Sequence, residues 1–522
     1  MNEIDFNLLY EPWITVIDEK GITQEMSLID TLTQAHKIKT IAGETSTQDI
    51  AILRLLLAVI YSIYLRTDSD GTISELSDED DAIERWNRLW KNGKFIPEHI
   101  SDYLVKYKDR FWLFHPKEPF YQAPIGKGTP YSSPKLIGDL SESGNKLRLF
   151  SNRNGRGKTE ISFAEAARWL LHLNAFDDTS SKPTVRGGNL PSPGVGWLGK
   201  LGLIFAEGNN LFETLMLNFV MTDHNGEPFP KGRAFWESDI NTLERVGVPL
   251  PENPVELLTL QSRRILLKRA ENHVTGYLLM GGDIVQRENA LTEQMTVWKQ
   301  DKEGNWLPKR HDPSRLMWRD FSALLSSAEG SFKPGVVRWT SLLVMEDSLP
   351  YDFITFKITG IKYADKDFFA EDTIEDGMTF NAELLGDLGE SWIYRISDVI
   401  KRTENSILAF GRFAQNLSVE SGNDPKGKNL SFISDSARDL AYFHLDNPFR
   451  RWLYSINPES DDEEEKLNEW TGYVYSVLVD DLGKQLVENA GIKAMVGRDL
   501  DKNSFSWYRL FRNSVRKALK GD

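Results

Sequence analysis

Five basic side chains, Lys146, Arg148, Arg153, Arg156 and Lys158, fall between Gly144 and Thr159 without a single acid, in a chain of formal charge -15. A cationic loop on an acidic protein has phosphate as its natural counterpart. Gly155 and Gly157 let the backbone approach a ligand closely or turn through positive φ. Two chemistries compete for the loop, a nucleotide phosphate cradle and a nucleic-acid contact. NRNGRGKT, residues 152–159, differs from a Walker A loop by Asn152 in place of the first glycine. In such a loop the Lys-Thr pair opens the helix directly, whereas here the capping signature, Ser162 with Glu165, comes three residues later. The apolar strand ending in Asp that would complete an NTPase is mimicked only by Val477 to Asp480, inside a helical pattern. An NTPase using Lys158 and Thr159 therefore stands as the alternative to a nucleic-acid contact, and a partner-binding scaffold as a third reading.

Other chemistries find little material. Cysteine is absent, which removes disulfides, thiolate catalysis and Cys-ligated zinc. The eight histidines are spread so that no H-x-x-x-H pair exists, and His311-Asp312 is the one His-Asp dipeptide. No metal, cofactor or catalytic residue is expected. Acids outnumber bases 77 to 62, so polyanion contact must come from local patches. Neither a signal segment nor a membrane-spanning run is read in the sequence, and a cytoplasmic protein without a membrane is the expectation.

The elements that must position the loop are read from periodicity. At 522 residues two to four domains are expected. FNLLYEPWITV, residues 6–16, reads as a strand entering a hairpin. ILRLLLAVIYSIYLR, residues 52–66, is apolar nearly all round and predicts a buried helix. Trp86 and Trp90, four apart, read as a core stripe. FWLFHPKEPFYQAP, residues 111–124, is aromatic and broken by proline. Residues 179–206 carry no acid and three bases, Lys182, Arg186 and Lys200, beside the pair Gly187 and Gly188. Residues 255–380 read as mainly strand. Two basic clusters within them, Arg263, Arg264, Lys268, Arg269 and Lys309, Arg310, Arg315, Arg319, read as solvated faces. After Gly389 the spacing turns helical through Ile393 to Ala414, through Leu440 to Leu445 with closure near Pro448, through Leu467 to Leu486, and from Asn503 to Lys520. The fold class is α+β, with a large mixed domain over 1–385 and a four-helix bundle over 386–522. The last helix puts Arg509, Arg512 and Arg516 on one face.

FNLLYEPWITV, the leucine-rich helix from Ile52, FWLFHPKEPFYQ, LFSNRNGRG before a helix, Arg186-Gly187-Gly188 and the terminal bundle together resemble the large-subunit family of the type I-E CRISPR surveillance complex, Cascade, often called CasA. The resemblance implies a non-catalytic subunit that docks at the 5′ end of the crRNA held by the backbone subunits. It implies recognition of the protospacer-adjacent motif through the minor groove of double-stranded DNA, help in duplex opening, contact with a small-subunit dimer, and recruitment of a helicase-nuclease. The family's basic loop corresponds to Phe150, Ser151 and Asn152, with Arg153, Arg156 and Lys158 holding phosphate. Asparagine can read the minor-groove edge, where A·T and G·C differ chiefly by the guanine amino group. The family's glycine loop falls at Asp177, Asp178, Thr179, Ser180 and Ser181, where Thr179 and Ser180 are small enough to approach a groove and the aspartates must turn away from phosphate. No lysine follows Thr275-Gly276-Tyr277 where the family has a lysine finger, and Arg287 and Lys299 are the nearest bases. Asp365 and Lys366 stand where the family has a glutamine wedge. With Lys182, Arg186 and the Arg509, Arg512, Arg516 stripe, these complete the candidate DNA-binding set.

Overall fold

The apolar run from Ile52 folds as part of the helix Ser46–Tyr64, buried at every position from Thr47 to Tyr64 except Asp49. Thr45 caps it, its hydroxyl accepting from the Gln48 N–H at 3.2 Å. The computed structural model describes residues 4–142, 151, 153–180, 182, 192–238, 245–325, 332–427, 429–499 and 501–521. The helix has the length and hydropathy to cross a bilayer, unlike the sequence expectation, yet is 89% buried inside the protein. Its buried Arg54 meets Glu293 through two hydrogen bonds of 2.7 and 2.8 Å.

Around it the chain forms small sheets rather than one large one. The hairpin Ile14–Asp18 with Thr23–Met26 turns at Gly21, whose φ of 79° suits glycine, and Ile38–Ile41 pairs on its other side. Asp5–Asn7 pairs with Trp112–Phe114. Thr129–Ser132, His273–Gly281 and Arg263–Ala270 make an antiparallel sheet with His273–Gly281 central. A fourth sheet holds Leu203–Glu207, Phe353–Tyr363 and Ala370–Asn381. Trp86 and Trp90 stack at 4.7 Å. The stretch 255–380, expected to be mainly strand, also contains the helix Gly335–Met345. Its β-branched apolar run fits either state by composition, and burial on nearly every side accommodates the helix.

The chain falls into two compact units. One comprises Met1–Arg315, Ser327–Ser348 and Thr355–Gly377; the other comprises Leu316–Ser326, Leu349–Ile354 and Met378–Asp522. The second unit is built on the helices Gly389–Glu420, Asn429–Tyr454, Glu463–Tyr475 and Ser504–Lys520. Ile393, Ile396, Ile400, Ile407, Phe410 and Ala414 are all buried, as their spacing requires. Earlier segments join this core by aromatic packing. Trp318 stacks on Phe449 at 4.6 Å and Phe353 on Tyr454 at 4.2 Å.

Two helical details depart from the sequence reading. Asn429–Tyr454 runs through Pro448, because Phe449, Trp452 and Leu453 bury beyond it, while Leu440 and Phe443 face outward at 44% and 78% exposure. The third helix continues past Tyr475 as a π-helical stretch, Ser476–Gly483, before Lys484–Asn489. π-Helical geometry leaves Leu478, Val479 and Leu482 buried.

His172, on the helix Phe163–Phe176, lies edge-on to Trp169 at 5.1 Å with Nε2 3.2 Å from the Thr47 hydroxyl. Burial lowers its pKa to about 4 from 6.5. The unfolded chain then binds the proton first on acidification, so this contribution to stability is lost as pH falls from about 6.5 to about 4, by up to about 3 kcal/mol. Burial raises the Asp49 carboxyl to about 7, an effect of opposite sign in the same range. The difference between two proteins therefore isolates the histidine. In denaturant titrations, His172→Gln is expected to lose less stability than the parent between pH 6.5 and 4; equal losses would remove His172 as the cause.

Candidate nucleic-acid interface

Phe150, Asn152 and Arg186 lie outside the described residues; the basic loop is followed from Ser151 and Arg153 onward. Ser151 Oγ accepts from the Arg153 N–H at 3.1 Å. Gly155 turns the chain at φ 49°, and a single helical turn, Arg156–Thr159, follows. Ile161 then bridges Val274 through N–H···O bonds of 3.1 and 2.8 Å, which fixes the loop's exit on the central strand His273–Gly281. Ser162 caps Phe163–Phe176 by accepting from the Glu165 N–H, as the spacing predicts. Arg153 pairs with Glu165, and Lys158 pairs with Glu142, whose side chain is 3% exposed. Arg156 is exposed and has no ion pair among the described residues.

This geometry is not a phosphate cradle. The Lys158 ammonium is held by a carboxylate, the long helix opens at Phe163 rather than at Thr159, and Val477 to Asp480 lie in the π-helical stretch rather than a strand.

The second loop resolves the problem of its own aspartates. Asp177 and Asp178 are 5% and 4% exposed. The Asp177 carboxylate takes Arg263 Nε at 2.5 Å and Lys182 Nζ at 2.9 Å, and Asp178 takes Lys135 Nζ at 2.8 Å. The Arg263 guanidinium also donates to the carbonyls of Asp177, Asp178, Ser262 and Gly194 at 2.6–3.2 Å. Burial pulls the Asp178 pKa up, but the Lys135 charge and the hydrogen bonds from Lys135 and Ser180 outweigh it, and the carboxyl stays below its usual range. Burial also depresses the Lys182 ammonium, against the opposing charge of Asp177.

Two expectations are corrected here. Lys182, expected at phosphate, is a buried counter-ion with its side chain 1% exposed. Arg263 and Arg264, expected on a solvated face, are 0% and 2% exposed, with Arg264 on Asp283 at 2.7 Å. Arg269 of the same cluster lies 4.9 Å over the Phe114 ring and pairs with Asp5.

With the carboxylates inward, Thr179 and Ser180 are left at the surface. The Thr179 N–H donates to the Asp367 carbonyl at 3.0 Å and its hydroxyl to the Lys366 carbonyl at 2.7 Å. Asp365, Lys366 and Asp367 form the tip of the hairpin Phe353–Tyr363/Ala370–Asn381. Lys366 sits in the left-handed region at φ 54° and ψ 24°, with its side chain exposed. Arg310 clamps Asp367 bidentately at 2.7 and 2.9 Å and lies 5.2 Å over the Tyr363 ring. Two candidate segments 187 residues apart thus meet at one edge. Arg310 belongs to that edge, and its sequence signal was present in a cluster read as a solvated face.

The remaining candidates are placed elsewhere in their units. Arg287 is 57% exposed, beside Glu288 at 3.4 Å. Lys299 is exposed on the separate hairpin Trp298–Gln300/Trp306–Pro308. In the helical unit Arg512 donates to the Tyr475 hydroxyl at 3.5 Å, Arg516 lies 5.4 Å over the Tyr475 ring, and Arg509 is exposed.

A mixed unit together with a helical unit is the architecture of a CRISPR-associated large subunit. Residues 7–480 match the family model of the CRISPR-associated protein Cse1, and the chain belongs to that family. The CRISPR-associated protein CasA/Cse1 of Thermus thermophilus is 30% identical over 336 residues, which span 62% of this chain and 61% of that relative. The crystal structure of Thermobifida fusca Cse1 superposes with a TM-score of 0.82 at 31% identity, covering 99% of this chain and 98% of that one. A chain of a CRISPR RNA-guided surveillance complex shares the fold at TM-score 0.72 and 16% identity, covering 98% and 100%.

Proposed function

We propose that this protein is the non-catalytic, DNA-reading large subunit of an RNA-guided surveillance complex of the Cascade type. The observation that carries the reading is the tie between Thr179 and the Lys366 tip, made while Asp177 and Asp178 face inward. That arrangement offers a small hydroxyl residue, main chain and a lysine to a duplex edge with the loop's negative charge removed from it. Small residues let backbone reach the minor groove, where readout is degenerate and several adjacent motifs are tolerated. Arg156 holds phosphate and positions the duplex without reading it. Phe150, Asn152 and Arg186 take the roles implied by the resemblance. Sequence beyond the adjacent motif is read by the guide RNA, so this chain needs only a short readout. Its partners are the crRNA-bound backbone subunits, a small-subunit dimer and a helicase-nuclease, in the cytoplasm. Arg287, Lys299, Arg509, Arg512 and Arg516 are further contacts to the duplex or its displaced strand.

The test is a gel shift with the reconstituted crRNA-guided complex on duplexes with and without the adjacent motif. Thr179→Val and Asn152→Ala are expected to reduce motif preference by on the order of 1–3 kcal/mol each, the usual worth of a lost base-pair readout. Arg156→Gln is expected to weaken both duplexes alike and lower the salt slope by about 0.9. Equal DNA binding by the complex without this chain would overturn the reading.

A further inference from the structure

Beside the first turns of the helix Ser46–Tyr64 lies a cavity of about 270 Å3, and every residue lining it belongs to the larger unit. Ile50 and Leu53 of that helix, Phe205 and Ile358 of two neighbouring strands, and Leu211 give it apolar walls. Ile50, Leu53, Leu211 and Ile358 are each at most 4% exposed, so the walls belong to the packed core. Asp49 and Glu375 line the same cavity, Asp49 half-buried and Glu375 exposed at its open side. Asp49 Oδ1 accepts from the Gly43 N–H at 2.7 Å, and neither carboxyl group has an ion pair among the described residues. The one cation that lines the cavity, Lys357, is taken by Glu207 at 2.6 Å.

Two acids without a cation, set among apolar walls, define their ligand by complement. An anion would meet like charge, and a neutral apolar molecule would leave both carboxyls unanswered. Calcium and magnesium take about six or more oxygen ligands, which apolar walls do not supply. A positive group on a short hydrocarbon stem satisfies both parts, its stem covered by the walls and its head at the carboxylates. The volume lies just below the roughly 300–1,000 Å3 of pockets for drug-sized ligands, which suits a chain of a few carbons.

We propose that this cavity binds an alkylammonium group, with Asp49 and Glu375 as its counter-ions. That group is the shared chemistry of a lysine side chain from a neighbouring protein and of a free aliphatic amine. The titration of Asp49 agrees with the geometry. Burial, then the charges of Glu44 and Glu375, raise its carboxyl to about 7, against the Gly43 hydrogen bond and the charge of Arg168. Arg168 is itself held by Glu44 and Glu25 at 2.8 and 2.7 Å, and Glu207 faces the cavity already paired with Lys357. An entering cation favours the ionised form of Asp49, so binding releases its proton and tightens as pH rises through about 7.

Saturation-transfer NMR on the full chain tests the site with n-butylammonium between about pH 6 and about pH 8. The competitors are n-butanol and ammonium chloride, which keep only the stem or only the charge. Saturable binding that tightens with pH, and that neither competitor displaces at equal concentration, is expected. Glu375→Gln should weaken binding on the order of tenfold and keep the pH trend. Asp49→Asn, which can still accept from Gly43, should weaken it likewise and abolish the trend. The same measurement on the reconstituted complex separates the two sources. A neighbour's lysine would close the site to n-butylammonium and be joined to Glu375 by carbodiimide, whereas a free amine as the natural occupant leaves binding by the complex equal to that by the chain alone. Absence of saturable binding to the chain alone would overturn the proposal. Equal binding of n-butanol, marking the cavity as apolar only, or undiminished binding by both variants would overturn it as well.

Discussion

Asp177→Ala is expected to destabilise the larger unit by about 3–5 kcal/mol, the cost of breaking a buried ion pair from one side. The side chains of Arg263 and Lys182 are 0% and 1% exposed, and Asp177 is the carboxylate they share. Arg263 keeps the carbonyls of Asp178, Ser262 and Gly194 but loses its counter-charge, and a guanidinium cannot shed its proton. Lys182 can, so its part of the cost is the smaller. Asp178→Ala, which strands only Lys135, should therefore cost less. Asp177→Ala/Lys182→Met should recover part of the loss. Denaturant midpoints read the stability, and hydrogen exchange at Thr179 reads whether the loop leaves the hairpin tip. A loss below about 1 kcal/mol would mean that water or the chain relaxes around the two cations, and the inward aspartates would not fix the loop.

The second large effect lies at Glu293, whose two oxygens bind Arg54 at 2.7 and 2.8 Å and also accept from the Trp197 indole at 2.8 Å and the Met295 N–H at 3.2 Å. Both side chains are 2% exposed. Burial pushes the Glu293 carboxyl up, but the Arg54 charge and hydrogen bonds outweigh it, and its pKa is lowered. Its contribution is therefore present above the unfolded value of 4.5 and is lost as pH falls below it. Glu293→Ala leaves Arg54 charged inside the buried helix Ser46–Tyr64, and a loss of about 3–5 kcal/mol is expected. The double change Arg54→Met/Glu293→Met should restore most of it, because well-packed apolar residues replace a buried pair at little cost. Thermal unfolding of the three proteins decides the matter. A double variant as unstable as Glu293→Ala would show that the Trp197 and Met295 hydrogen bonds, not the charge, hold this region.

The difference between what sequence reveals and what it hides follows sequence distance. Ser162 and Glu165 cap a helix three residues away, and the buried helix from Ile52 and the Ile393–Ala414 stripe express burial through local periodicity. These were legible because one element contains the whole signal. Arg54 and Glu293 are 239 residues apart, Arg263 and Asp177 are 86 apart, and nothing local marks either pair. Arg263 and Lys182 therefore read as exposed bases, although their partners draw them inside. Pro448 misled in the opposite sense. Its missing N–H is a local cost, and the burial of Phe449 and Leu453 beyond it outweighs that cost. At the site, the residue types of Thr179, Ser180 and Lys366 were readable, whereas their meeting depends on the sheet that aims the hairpin.

The tie between Thr179 and the Lys366 carbonyl also bears on protein engineering. Neither segment is a self-contained module, since the hydroxyl of one fixes the main chain of the other at a turn with positive φ. A graft that imports only the 177–182 segment from a homologue would carry half of a mated surface into a scaffold shaped for a different half. On the proposed function, altered specificity would instead travel with both segments together, with Arg310 as the clasp that must accompany the hairpin.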